Sequence, residues 1–302
     1  MTLKHRLTPN YISGISIIAI SLMLTNCDNS STNTVEAEKE NVIGSESQTI
    51  NDIASVLAGP HRSEEQKERD QYRHPLETLE FFGIKENMSV VEIWPGGGWY
   101  TDILAPFLAN SGKYYGAAPD PGDNERRKAG LQRFKDKLDG NRELYGAAEV
   151  KLLNDNGPKS IDPNSADLVL TFRNIHNWMT AGNEKQIFAR MLEITKNGGF
   201  LGVVEHRGDP SIEQDPKAKS GYVNEGFTIQ LAETAGWKLI AASDINNNAL
   251  DDKDYEGRVW RLPPTLKYFG KEGYPALIGE DLEIKKAIGE SDRFTLLFQK
   301  PE

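Results

Sequence analysis

The chain has 302 residues, 38% apolar and 26% charged, an ordinary globular composition. Its 35 Lys and Arg against 45 Asp and Glu leave a formal net charge of -10, which argues against a partner built on phosphate backbones. Cys27 is the single cysteine, so the folded part can form no internal disulfide.

In chain order, Lys4 and Arg6 form a basic start, and an apolar run over residues 11–24 ends at Thr25-Asn26-Cys27. This is the layout of a secretory signal, too short for a transmembrane span. Leu24-Thr25-Asn26-Cys27 resembles a lipobox, with Asn26 departing from the usual small residue, and implies that Cys27 is cleaved and lipidated. The expected product is an extracytoplasmic lipoprotein, anchored to a membrane through Cys27. Asp28 behind it resembles an inner-membrane retention signal, pointing to the periplasmic face of that membrane. Removing Lys4 and Arg6 takes the count to 33 basic minus 45 acidic residues, or -12. Residues 28–50 are rich in Asn, Ser, Thr and Glu and read as a disordered tether. Residues 51–302 remain for one α/β domain.

Within that domain, 63–72 reads as a charged helix, followed by His74-Pro75 and a short helix over 76–82. Apolar strand candidates recur at 90–94, 113–118, 150–153, 167–172, 200–205, 239–242 and 294–298. Between them, Ile187, Phe188, Met191 and Leu192 fall on one face of an amphipathic helix over 183–196. Buried strands alternating with helices predict a doubly wound, mostly parallel sheet. Ligands of such sheets bind beyond the carboxyl ends of the strands, at the point where strand order reverses.

That point is marked by Val90-Val91-Glu92-Ile93-Trp94-Pro95-Gly96-Gly97-Gly98-Trp99-Tyr100, a strand, a glycine turn and a helix start running toward Asn110. Such a turn lets backbone N–H groups approach a nucleotide-like ligand. Glu92 lies two residues before the loop, where an acid can reach a ligand amino group or organise the loop. Asp120 closes the second strand, where an acid can meet ribose hydroxyls.

These residues resemble the first motif of class I S-adenosylmethionine-dependent methyltransferases, closest to a bacterial branch with a Glu-Ile-Trp-Pro-Gly-Gly-Gly-Trp-Tyr-Thr loop. Asp155, twelve residues before Asp167, matches the family's adenine-contacting acid. Ser165-Ala166-Asp167-Leu168-Val169-Leu170 matches the fourth strand, and Thr195-Lys196-Asn197-Gly198-Gly199-Phe200-Leu201 matches the turn into the fifth. Arg293-Phe294-Thr295-Leu296-Leu297-Phe298 fits the last strand, which the family runs antiparallel in a seven-stranded sheet. The resemblance implies S-adenosylmethionine as cofactor, held by Glu92, Trp94, Gly96, Gly97, Gly98, Asp120, Asp155 and Arg173, and methyl transfer to a small-molecule acceptor. Trp94 replaces the first loop glycine, Ala118 replaces the usual ribose acid, and Pro106 should kink or shorten the following helix.

Arg173-Asn174-Ile175-His176-Asn177-Trp178 and Glu205-His206-Arg207 fall at neighbouring strand ends. His176 and His206 are the candidate catalytic bases, since an unperturbed imidazole titrates near neutrality. With Glu205 they could also read as metal ligands, but no His pair at ligand spacing supports that and no metal is expected. Arg73-His74 could fold over the cleft, or His74-Pro75 could simply separate two helices. Trp99, Tyr100, Trp178 and Trp260 are candidates for core or for an apolar pocket, and residues 246–264 for a cover over the cleft. The alternative function is a non-catalytic extracytoplasmic binding protein on the same fold, which Trp94 and Ala118 would suit.

Overall fold

A computed structural model describes residues 53–153, 160–255, 258–266 and 277–302. The signal with Cys27, the 28–50 tether and Asp155 lie outside the described residues.

The seven apolar runs are seven strands: β1 (Ser89–Ile93), β2 (Lys113–Pro119), β3 (Glu149–Leu153), β4 (Ala166–Phe172), β5 (Thr195–His206), β6 (Lys238–Ser243) and β7 (Arg293–Gln299). They form one sheet in the order β3-β2-β1-β4-β5-β7-β6. β1 pairs in parallel with β2 and β4, β2 with β3, and β4 with β5, while β7 runs antiparallel between β5 and β6. This is the predicted doubly wound sheet with its last strand reversed.

Helices α1 (Glu64–Lys67), α2 (Asp70–Arg73) and α3 (Pro75–Phe81) precede β1, and α4 (Thr101–Leu108) joins β1 to β2. α5 (Glu125–Asp139) and α6 (Arg142–Tyr145) lead to β3, α7 (Ile175–Ala181) and α8 (Glu184–Ile194) join β4 to β5, α9 (Glu225–Thr234) precedes β6, and α10 (Gly279–Ile288) precedes β7. The charged stretch read as one helix is two: Ser63 caps α1 in a capping box with Gln66, and α2 starts afresh at Asp70. The helix carrying Pro106 stops at Leu108.

Successive residues of a strand point to opposite faces, and the core divides accordingly. Val91, Ile93 and Val169 pack with Trp178, Phe188 and Met191 on one face. Val90, Leu168 and Leu170 pack with Phe82, Ile103 and Leu104 on the other. Both faces of β1 and β4 are therefore covered, which is why they read as continuous apolar runs rather than alternating ones.

The segment before β1 is fixed onto the helix that follows the glycine loop. The buried carboxylate of Asp102, in the first turn of α4, accepts from Gln66 Nε2 at 2.7 Å and Tyr145 Oη at 2.8 Å, and Lys137 Nζ lies 2.7 Å away. Trp99 Nε1 donates to the Gln66 carbonyl at 3.2 Å. Asp102→Ala leaves three donors without their acceptor and is expected to cost about 2–3 kcal/mol of stability, measured by denaturant unfolding. A change within about 0.5 kcal/mol would show that this junction holds nothing together.

Candidate active site

β1 ends at Ile93, registered against Ala117 of β2 and Thr171 of β4. The loop leaves where strand order reverses, and its geometry is that of a glycine turn. Trp94 has φ 51°, Gly96 φ 59° and Gly98 φ 81°, all in the left-handed region. The Trp94 backbone thus adopts the conformation that a glycine would favour, despite its side chain. Its indole packs edge-on against Trp178, ring centroids 6.0 Å apart, and its buried Nε1 has no partner in the protein. A Cβ added to Gly96 or Gly97 would meet nothing within 4 Å, so these residues present bare backbone to open space. Gly98 faces inward instead, toward Lys137 and Phe134.

Glu92 is turned beneath the loop. Its carboxylate accepts from Thr101 Oγ1 at 2.8 Å and Tyr114 Oη at 2.6 Å, tying the start of α4 to β2. Complete burial raises its pKa to about 7, against the opposing pull of those two hydrogen bonds. The acid thus faces Thr101 and Tyr114 and lines neither of the two cavities beside the loop.

Two cavities meet at Pro95, Gly96 and Gly97. One, of about 550 Å³, lies between the loop, Ala118 and Pro119 of β2, and the α5 residues Arg127, Leu131 and Phe134. Asp120 stands exposed beside it, its Oδ1 accepting from Gly122 N at 2.9 Å, and is not part of the wall. The second cavity, of about 500 Å³, lies between the loop and the ends of β4 and β5. His176, His206 and Arg173 line it, with Trp94, Trp99 and Trp260. The described part of residues 246–264 therefore does cover this cleft, through the short 3₁₀ helix Arg258–Arg261 and Pro263-Pro264.

Glu205, at the end of β5, organises this wall. It is fully buried, and its Oε2 accepts from Ile175 N at 2.6 Å at the start of α7. Its Oε1 accepts from His206 N at 2.9 Å and faces His176 Nδ1 at 3.1 Å. An ionised carboxylate only accepts, so His176 Nδ1 carries the proton and a neutral ring leaves its Nε2 lone pair free to take one. Asn174 Nδ2 donates to the Ile93 carbonyl at 2.9 Å, clamping this turn to the glycine loop.

His206 Nδ1 is 2.5 Å from Ser291 Oγ, and its ring lies 5.4 Å from that of His176. Burial, reinforced by His176 whenever that ring is charged and by the positive charges of Arg173, Arg293 and Arg73, drives its pKa well below 6.5. At neutral pH His206 is therefore neutral. His176, Glu205 and His206 bring ligating atoms within 4.8 Å of one another, a convergence that sequence spacing did not suggest. Two imidazoles and a carboxylate are donor types that hold divalent ions, and the charges of Arg173, Arg293 and Arg73 also reach them.

The positive field comes from four arginines gathered around a second buried carboxylate, Glu290. Arg69 Nε lies 2.7 Å from it, Arg73 Nε 3.0 Å, Arg293 Nη2 3.2 Å and Arg173 Nη1 3.9 Å. Burial alone would raise the Glu290 carboxyl, but the four arginines pull it down to about 2. At the Arg73-His74 junction, His74 separates α2 from α3 with φ 40°, and Arg73 lines the second cavity. Trp99 and Trp178 are core, and Trp99 also walls the cavity beneath the Arg73 guanidinium, 4.5 Å from its ring centroid.

The structure thus brings Trp94, Gly96, Gly97, Arg173, His176 and His206 around one space, while Glu92, Gly98 and Asp120 stand outside its wall. Glu290, Ser291 and Arg293 were not legible as site residues, since they sit in a polar run before an ordinary strand. The Glu92 carboxyl has a lower pKa when the chain unfolds, near 4.5, so its buried charge costs stability progressively from pH 4.5 to 7 and fully above 7. Glu92→Gln keeps an acceptor for Thr101 and Tyr114 without the charge. Its stability relative to wild type is expected to rise through that window, to a gain on the order of 2 kcal/mol at pH 8. A difference that stays flat between pH 4 and 8 in thermal melts would refute this account of Glu92.

No protein-family profile matches this chain, and no curated protein matches it. Solved structures match by fold. The [4+2]-cyclase SpnF superposes with a TM-score of 0.50 at 12% identity, covering 76% of this chain and 80% of that one. A SAM-dependent methyltransferase from Aquifex aeolicus gives 0.47 at 18% identity, over 59% of this chain and 87% of that one. A putative sarcosine dimethylglycine methyltransferase from Galdieria sulphuraria gives 0.47 at 12%, over 76% and 85%. With the strand order β3-β2-β1-β4-β5-β7-β6, the chain has the Rossmann-like methyltransferase fold.

Proposed function

We propose that the protein transfers a methyl group from S-adenosylmethionine to an oxygen or nitrogen of a small-molecule acceptor, with His176 as the base. One observation carries this reading: the bare backbone of Gly96 and Gly97 and the Glu205-held ring of His176 face the same cavity. The residues present suit the cofactor, because the loop leaves open the space that a side chain would fill and joins the two cavities. When bound, the cofactor supplies an electrophilic methyl group on a sulfonium. Gly96, Gly97, Ala118 and Pro119 would hold its nucleoside side, with Asp120 beside them for the ribose.

The chain's own residues do the rest. His176 Nε2 accepts the proton from the acceptor's O–H or N–H as its lone pair engages. Glu205 keeps the other ring nitrogen protonated and stabilises the imidazolium that forms. Trp94, Phe172 and Trp260 exclude water and restrict the acceptor's approach, which matters because an in-line displacement depends on alignment. His206, neutral and bonded to Ser291, serves as a hydrogen-bonding neighbour rather than as a charged one.

Calorimetric titration of the full chain in detergent with S-adenosylhomocysteine is expected to show saturable binding, abolished by Gly96→Asp. That variant puts a charged side chain at φ 59° into the loop's open face. With an acceptor in hand, His176→Gln is expected to lower kcat by about 10²–10⁴ with little change in cofactor affinity. No binding at millimolar ligand would defeat the methyl-transfer reading.

We also propose that the protein is held on a membrane outside the cytoplasm through lipid on Cys27, on the strength of residues 1–27. Metabolic labelling with palmitate should mark the wild type and not Cys27→Ser, which should move to the soluble extracytoplasmic fraction. Equal labelling of both would exclude this anchor.

A further inference from the structure

We infer that the acceptor is a small carboxylic acid with a flat apolar body, its carboxylate gripped by Arg73 and Arg173 and its reactive end turned to His176. This names the substrate class of the site just described and rests on that reading for the reaction, although the binding itself does not.

The charge around the second cavity is one-sided. Arg69, Arg73 and Arg173 line it, and no Asp or Glu does among the described residues. Glu290 behind them meets four arginines, so the cluster of Arg69, Arg73, Arg173 and Arg293 keeps a formal surplus of three positive charges (four minus one). Glu205 adds one buried negative charge on the neighbouring wall, held by backbone N–H groups and His176, and leaves the rim as a whole with a formal surplus of two (three minus one).

The unmet hydrogen-bonding capacity has one sign too. Arg73, 1% exposed, has an Nη2 without a partner, and Trp94 has an Nε1 without one. Both are donors, and both residues line the cavity. Arg173 stands 3.9 Å from Glu290, beyond hydrogen-bond reach, with 26% of its side chain exposed. A carboxylate offers only acceptor lone pairs and suits the guanidinium fork. Leaving such buried donors unmet is costly, so a ligand that meets them gains disproportionately.

The remaining wall selects the body. Trp94, Trp99, Phe172 and Trp260 line the same space, and Trp99 already lies beneath the Arg73 guanidinium. Flat aromatic faces and arginine planes favour a flat, apolar partner. S-adenosylmethionine carries a sulfonium and an ammonium against one carboxylate, a net cation that this surplus opposes. An anionic acceptor relieves that opposition, so acceptor and cofactor should each tighten the other's binding.

The test uses benzoate, its neutral isostere benzamide, and inorganic phosphate, titrated into the full chain in detergent by calorimetry. S-adenosylhomocysteine and 5′-methylthioadenosine, which lacks the amino-acid part, form the cofactor arm. Benzoate is expected to bind saturably, and about tenfold or more tighter than benzamide or phosphate. Arg173→Gln should weaken benzoate about tenfold, Arg173→Lys should recover part of the loss, and neither should weaken S-adenosylhomocysteine. Thermal melts of both variants confirm that the fold is kept.

Equal binding of benzoate and benzamide would overturn the carboxylate grip, and equal binding of benzoate and phosphate the apolar body. If Arg173→Gln weakens S-adenosylhomocysteine but not 5′-methylthioadenosine, the arginines hold the cofactor's own carboxylate and the acceptor assignment falls. Benzoate binding with no response to either nucleoside would instead sink the methyl-transfer reading and leave the anion site standing.

Discussion

The Glu290 carboxylate is the constraint on which the cleft depends. It draws together Arg69 and Arg73 from the segment before β1, Arg173 from the turn after β4, and Arg293 at the start of β7. Arg69 and Glu290 are 221 positions apart, and these residues meet because the carboxyl ends of β1 and β4 and the start of β7 share one rim. Four guanidinium groups in partial burial repel one another, and one acid cannot neutralise them all. The acid sets their positions and leaves their charge mostly unspent. Arg73 shows the strain of this arrangement: burial and Arg173 push its pKa well down, and Glu290 only partly offsets them.

A second buried acid, Glu205, plays a different part on the same rim. Where Glu290 gathers cations, Glu205 gathers N–H groups, and it orders the start of α7, the end of β5 and one imidazole together. The two acids explain why neighbouring histidines differ. His176 faces a carboxylate across its Nδ1, whereas His206 faces Ser291, and burial first and the field of the arginines second hold it neutral. Residue type alone made them equivalent candidates; their partners give them different surroundings.

How much was legible follows from the range of each interaction. The central strands were, because burial on both faces fills runs such as 90–93 and 168–172 with apolar residues broken only by Glu92 and Thr171, while the less buried edge strands β3 and β6 show in shorter apolar runs. The glycine loop was legible because bare backbone needs glycine at Gly96 and Gly97. The direction of Glu92 was not, since nothing in the strand distinguishes an acid pointing at a ligand from one pointing at Thr101 and Tyr114. Trp94 looked like a departure from the turn, yet its backbone keeps the left-handed geometry and its indole goes to Trp178. Glu290 and Ser291 could not be assigned, because their meaning comes largely through Arg69, Arg73 and His206, more than 80 residues away.

The cleft's charge also stands against that of the whole chain. Without Lys4 and Arg6 the sequence carries -12, whereas the cluster behind the cavity carries a surplus of three positive charges. Exposed charges are screened over about 8 Å at physiological ionic strength, so the acidic exterior acts at its own surface and the arginines act inside the cleft. A polyanion must bring many charges against that exterior to deliver one to the cleft, and the exterior wins. A small monoanion with an apolar body meets little repulsion outside and a concentrated, poorly screened attraction within. Net charge and local charge of opposite sign therefore favour, for the acceptor proposed above, a small acid over a polyanion.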